Sequence, residues 1–163
     1  MVEEKREFLV DDYAYMQGLV KRMFSSIPHT KALGVEIVSF ERNKAIGRLP
    51  YQDTFVGNIE NGALHTGVLL SLIDTVAGLA VFCALPEVEE IATLDFRLDS
   101  FKPSTPHQDI YAVAECYRLT KTVAFVRGSI YHDNPENQIA GCVASFFRSR
   151  NRASVRRPIG QWQ

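Results

Sequence analysis

The sequence predicts an α+β fold in which a curved antiparallel sheet wraps one long apolar helix, with a further helix at the N-terminus. Three observations carry this reading. Residues Thr66 to Leu85 form an apolar run of about twenty residues whose one charged side chain is Asp74. Two strand-like segments precede that run and four follow it. The lengths also agree: twenty helical residues span about 30 Å, and strands of about ten residues span roughly 33 Å.

Taken in order, Val10 to Ser26 has amphipathic helical spacing and is stopped by Ile27-Pro28. Leu33 to Phe40 alternates weakly as a strand, and after a turn at Arg42-Asn43 the stretch Asn43 to Tyr51 forms a second. A polar loop, Gln52 to Leu64, leads into the apolar helix, which Pro86 ends. Thr93 to Asp99 alternates with period two. Gln108 to Leu119, Thr122 to His132 and Gln138 to Arg148 complete the strand set, divided by turn signals at Lys102-Pro103 and Asp133-Asn134-Pro135. Small residues share one parity in two of these strands: Ala112, Ala114 and Cys116 in one, Ala140, Cys142 and Ala144 in the other. Such a floor lets a helix approach closely. The domain division expected is an N-terminal helical extension over 1–30, a main domain over 31–150 and a basic tail over 151–163.

A chain of 163 residues, 46% hydrophobic and 23% charged, has the composition of an ordinary globular domain. Its net charge of −1 argues against bulk nucleic-acid binding. The local exception is Arg148 to Arg157, with five arginines in ten residues. That cluster and Lys102 are candidate contacts for the phosphates of an anionic substrate, with a solvated surface as the default. The three cysteines, Cys83, Cys116 and Cys142, lie apart in apolar segments and read as core residues of a reducing compartment. The histidines stand at no metal-ligand spacing, so no metal is expected. The apolar run is long enough to span a membrane. Against that stands Asp74 near its centre, at a cost of roughly 2.5–3.5 kcal/mol, and no dense positive cluster flanks it. The charged start Met1-Val-Glu-Glu-Lys-Arg-Glu7 lacks the apolar run of a signal peptide. A cytoplasmic protein without a membrane partner is the expectation.

The apolar helix holds the chemistry-bearing pattern. A carboxylate buried without a partner costs several kcal/mol, so Asp74 is expected to have a partner or a task. At about 100° per residue, Gly67, Ser71, Asp74 and Gly78 share a narrow stripe of small and polar residues on an otherwise apolar helix. His65 stands at the helix start, nine residues before Asp74, behind a glycine-bearing polar loop. Free N–H groups and positive potential at a helix N-terminus suit a developing oxyanion.

The order Gly57-Asn58, then Leu64-His65-Thr66-Gly67, then Asp74, followed by Thr93-Leu-Asp-Phe-Arg-Leu-Asp-Ser-Phe-Lys-Pro103, resembles the hotdog-fold thioesterases, and within them the PaaI-like (phenylacetate-pathway) acyl-CoA thioesterases. The resemblance extends over residues 33 to 149. It implies a hotdog fold and an acyl-CoA thioesterase that needs no metal or redox cofactor. By resemblance Asp74 is the general base or nucleophile, Asn58 positions water or substrate, and Thr93 hydrogen-bonds the attacking water. The N–H groups of Thr66 and Gly67 polarise the thioester carbonyl. Asn61 competes with Asn58 for its role, and His65 orients substrate or supports the turn. Thr66 departs from the family glycine, and a threonine there is expected to suffer at positive φ and to add bulk beside the substrate.

Thioester hydrolysis needs an activated water or a carboxylate nucleophile, an oxyanion donor and a dry acyl pocket. An Asp in an apolar wall suits base work, and the apolar helix with its strands would supply the pocket. The substrate is then an acyl thioester carried by CoA or by an acyl-carrier protein. The alternative reading is a non-catalytic acyl or acyl-CoA binding module on the same fold. A dehydratase is disfavoured, because His65 lies about 180° from Asp74 around the helix. Gly67 and Asp74 are also separated by ~10 Å along the helix axis, whereas reacting atoms must approach to about 3 Å. The active site is therefore expected to need two antiparallel copies of the helix, in a homodimer or a tetramer built as a dimer of dimers.

Overall fold

The computed structural model describes residues 8–149, save the side chains of Phe24 and Ser25. A short 3-10 turn, Leu9–Asp11, precedes helix α1 (Tyr13–Ser26), whose N-cap Asp12 accepts the Tyr15 N–H at 2.9 Å. Pro28 does end α1, but it also occupies the first turn of a second short helix, α2 (Pro28–Leu33), which Gly34 closes in the left-handed conformation. The first strand consequently begins at Glu36 rather than at Leu33.

The sheet strands are β1 (Glu36–Glu41), β2 (Lys44–Leu49), β5 (Glu90–Ser100), β6 (Ile110–Leu119), β7 (Val123–Tyr131) and β8 (Ala140–Ser149). They form one antiparallel sheet in the order β1-β2-β6-β7-β8-β5. The expected loop between β2 and the long helix contains a 3-10 turn, Asp53–Phe55, and a two-stranded ribbon, β3 (Val56–Asn58) with β4 (Ala63–Leu64). Segments of three and two residues are too short to leave a period in the sequence.

Helix α3 (Thr66–Ala84) lies in the concave face, chiefly against β2, β6 and β7. Leu72, Ile73, Val76, Ala77 and Cys83 are fully buried there. The small-residue floor is as expected, with Ala112, Ala114, Cys116, Ala140, Cys142 and Ala144 all buried. Gly47 marks the closest approach: a Cβ built on it would stand 2.6 Å from Val76 Cγ2, so β2 meets the helix only because that side chain is absent. By length and hydropathy α3 could cross a membrane; in this fold the sheet takes the place of lipid. Leu9, Met16 and Val20 join the same core, and the Leu9 N–H donates to the carbonyl of Leu85 at 2.8 Å.

The three thiols are free and buried. Burial pushes Cys83 up to about 12 and Cys116 up to about 11. Cys142 also rises to about 11, first through burial and second through the nearby charge of Asp74.

Arg148 differs from the expectation of a phosphate-binding cluster. It is buried and forms a two-pronged ion pair with Glu89, its Nε donating to Oε2 at 2.7 Å and its Nη2 to Oε1. Its Nη1 donates to the Thr120 carbonyl at 3.0 Å. The remaining arginines of that cluster lie outside the described residues, as does the 151–163 tail. Lys102 is exposed and donates to Asn137 Oδ1.

Breaking a buried pair from one side leaves an uncompensated charge. Glu89→Ala is expected to cost roughly 3–5 kcal/mol in chemical denaturation, and the double change Glu89→Leu with Arg148→Met should recover most of that loss. Equal stability of the single and double variants would show that the pair is not what the site responds to.

Candidate active site

The loop before α3 is fixed at both ends. At its start, Asp109 Oδ1 accepts the Tyr51 N–H at 2.8 Å while Oδ2 accepts from Arg48 Nη2 at 2.6 Å and Nε at 3.0 Å. The Tyr51 N–H and then the Arg48 guanidinium hold this carboxyl below the usual carboxylate range. At its end, the His65 N–H donates to the Phe55 carbonyl at 2.8 Å, and the Leu64 N–H donates to Ser104 Oγ at 2.8 Å. Between them, a Cβ on Gly57 would stand 2.6 Å from the Cα of His65, so the chain can fold back on the helix start only with glycine there.

His65 is the N-cap of α3: its Nδ1 accepts the Gly67 N–H at 2.9 Å. In the neutral ring the proton then sits on Nε2. The Thr66 N–H has no acceptor among the described residues. Of the two expected oxyanion donors, Thr66 is thus free in this chain and Gly67 is engaged by the histidine. The expected strain at Thr66 is absent. Thr66 and Gly67 both have negative φ, because Thr66 is already the first helical residue, where threonine is as admissible as glycine.

Asp74 and Thr93 are brought together: Thr93 Oγ1 donates to Asp74 Oδ1 at 3.0 Å, joining the middle of α3 to β5. Asp74 is half-buried rather than enclosed, because it opens onto a cavity of about 360 Å³ shared with Thr93, Gly78, Ile91 and the α1–α2 residues Met23 and Thr30. Its Oδ2 accepts from no donor among the described residues. Asn58 is placed elsewhere. Its Oδ1 accepts the Glu60 N–H at 2.9 Å, and Asn61 Oδ1 accepts the Ala63 N–H at 3.0 Å, so both asparagines shape the turn.

A second cavity, of about 390 Å³, lies at the N-terminal end of α3 and is lined by His65, Gly67, Ser71 and Phe55. His29 of α2 lines this cavity and the Asp74 cavity alike. Ser71 Oγ donates to the Gly67 carbonyl at 3.0 Å, which leaves its oxygen to accept from His29 Nε2 at 3.1 Å. His29 has no counterpart in the residues singled out by sequence. Its signal is Pro28, which at the first position of a helix is a start as well as a stop.

These features match known proteins. The family model of the thioesterase superfamily matches residues 61–138. The medium/long-chain acyl-CoA thioesterase YigI of Escherichia coli K12 is 30% identical over 143 residues, covering 79% of this chain and 91% of YigI. A crystal structure of a Pseudomonas aeruginosa protein superposes with TM-score 0.74 at 38% identity, covering 82% of this chain and 99% of that one. The Escherichia coli PaaI protein of the phenylacetic acid degradation operon shares the fold, with TM-score 0.73 at 19% identity over 82% of this chain and 93% of PaaI. The fold and these relatives define a hotdog protein of the thioester-hydrolase class. The chain belongs to the thioesterase superfamily.

Gly57→Ala tests the loop geometry. The added methyl must displace the His65 backbone. We expect a loss of about 1–3 kcal/mol in thermal stability and a fall in thioester hydrolysis of at least roughly tenfold. A variant with native melting and native turnover would show that the helix start tolerates the shift.

Proposed function

We propose that this chain hydrolyses acyl-CoA thioesters to the free acid and CoA, with Asp74 as general base and the N-terminal turn of α3 as oxyanion donor. The observation that carries the reading is the Asp74–Thr93 pair at the mouth of a cavity, on a helix whose first free N–H is that of Thr66. Thr93 fixes one carboxylate oxygen and leaves the other for a water molecule. As that water adds to the thioester carbon, its proton passes to Asp74 and the carbonyl oxygen takes up the electron pair. The backbone N–H stabilises that oxyanion. Collapse of the adduct breaks the C–S bond, and the departing thiolate takes the proton back from Asp74. The balance is one water consumed, one acid and one thiol formed.

The site is completed, on this reading, by a second copy of the chain. Within one chain the oxyanion turn and Asp74 line two different cavities, as their ~10 Å separation along the axis requires. β5 is an edge strand of eleven residues, with Leu94 exposed on it and Val143 and Phe147 exposed on the adjoining β8. Such an edge is suited to pairing with its own copy. A homodimer formed there, alone or as half of a tetramer, would set one copy's Thr66 turn against the other's Asp74.

Asp74→Asn should keep the fold, as read by circular dichroism, and lower kcat for acyl-CoA hydrolysis by at least ~100-fold. Near wild-type turnover in the folded variant would remove Asp74 from the chemistry. Acyl-CoA binding without turnover by the native protein would instead favour a binding module.

Shared sites are checked by complementation. Asp74→Asn chains are mixed with Gly57→Ala chains after dissociation and reassociation, and each heterodimer should regain up to one working site. Full activity from a native monomer would refute the two-chain arrangement.

A further inference from the structure

A cavity of about 1060 Å³ lies between α1 and the segment that joins α3 to β5. Its walls are mainly apolar: Tyr15, Leu19 and Met23 come from α1, Phe82 from α3, Val88 from the approach to β5 and Ile91 from β5 itself. Met23, Phe82 and Ile91 also line the cavity that holds Asp74 and Thr93. The two spaces therefore adjoin at these three side chains, which would form the neck between them. We infer that the larger cavity holds the straight-chain acyl group of the substrate, so that α1 rather than the sheet sets the preferred chain length. This rests on the thioesterase reading above.

Two features fix the occupant and its direction. Within the neck, Phe82 lies about 12 Å from Asp74 along α3, and Ile91 packs beside Gly78, one turn from Asp74. A butyryl group attacked at Asp74 stops short of Phe82, whereas a medium or long chain passes through. The cavity's volume is at the upper end of small-molecule sites, and its lining is of the kind that takes an alkyl chain. Each methylene buried beyond the neck should raise kcat/KM by up to about fourfold.

The test measures kcat/KM for butyryl-, octanoyl-, dodecanoyl- and palmitoyl-CoA in the native protein and three variants. Leu19→Trp and Val88→Phe fill the cavity from opposite walls. Lys21→Ala changes an exposed residue of α1. The expected result is a dodecanoyl-to-butyryl ratio lowered at least about tenfold by either filling variant and unchanged by Lys21→Ala. A ratio unchanged in both filling variants, with native circular dichroism, overturns the assignment. A second measurement needs no variant: a fatty acyl-CoA with a photoreactive group at the chain terminus is crosslinked to the native protein and mapped by mass spectrometry. Label within residues 15–23 or 82–91 supports the site, and label confined to other segments overturns it. Absence of turnover with every acyl-CoA would defeat the hydrolase reading, while the photolabel would still decide where an acyl chain binds.

Discussion

The close approach of one apolar helix to a sheet floored with small residues is the constraint on which everything else rests. Gly47, Ala112, Ala114 and Ala144 leave room for α3, and the helix answers with side chains buried on nearly every side. Dense contact of this kind holds a helix at a fixed height and rotation over the sheet. The functional stripe inherits that precision. Asp74 can meet Thr93 at 3.0 Å because the residues around it on α3 are immobilised by packing, and because β5 reaches the helix from the sheet's edge.

The N-terminal helices extend this arrangement. They share the core through Leu9, Met16 and Val20, yet they also wall the space in front of Asp74 through Met23, His29 and Thr30. His29 ties the extension to the helix start through Ser71 and the Gly67 carbonyl, while His65 holds the Gly67 N–H. Two histidines from distant parts of the chain thus fix the groups on either side of one glycine. The stripe of small residues seen in the sequence is in part the space these contacts occupy.

The sheet and the apolar helix are legible in the sequence because period-two alternation and an apolar run of helical length leave strong marks. The resemblance singles out Thr93 for the attacking water and Asp74 as base or nucleophile, but their direct hydrogen bond leaves no mark in the sequence, since the two residues are joined only by the fold. Thr66 misleads because its neighbours in the motif suggest a turn with positive φ, when the helix has already begun. Arg148 misleads because a run of arginines reads as surface, whereas strand parity turns this one inward onto Glu89. His29 is silent in sequence, since its value comes from where α2 docks.

The order of elements along the chain has a cost during synthesis. Helix α3 ends at Ala84, but three of the strands that cover or flank it, β6, β7 and β8, are completed only at Ser149. At translation rates of about 5–20 residues per second, the interval is of order 3–13 seconds. During it, the nascent chain presents a segment with the length and hydropathy of a membrane span that only an incomplete sheet, at first β1 and β2, can shield. The half-made protein is therefore a natural client for machinery that holds apolar segments, and Asp74, which in the finished fold faces a cavity, would make that segment a poor substrate for insertion into a bilayer.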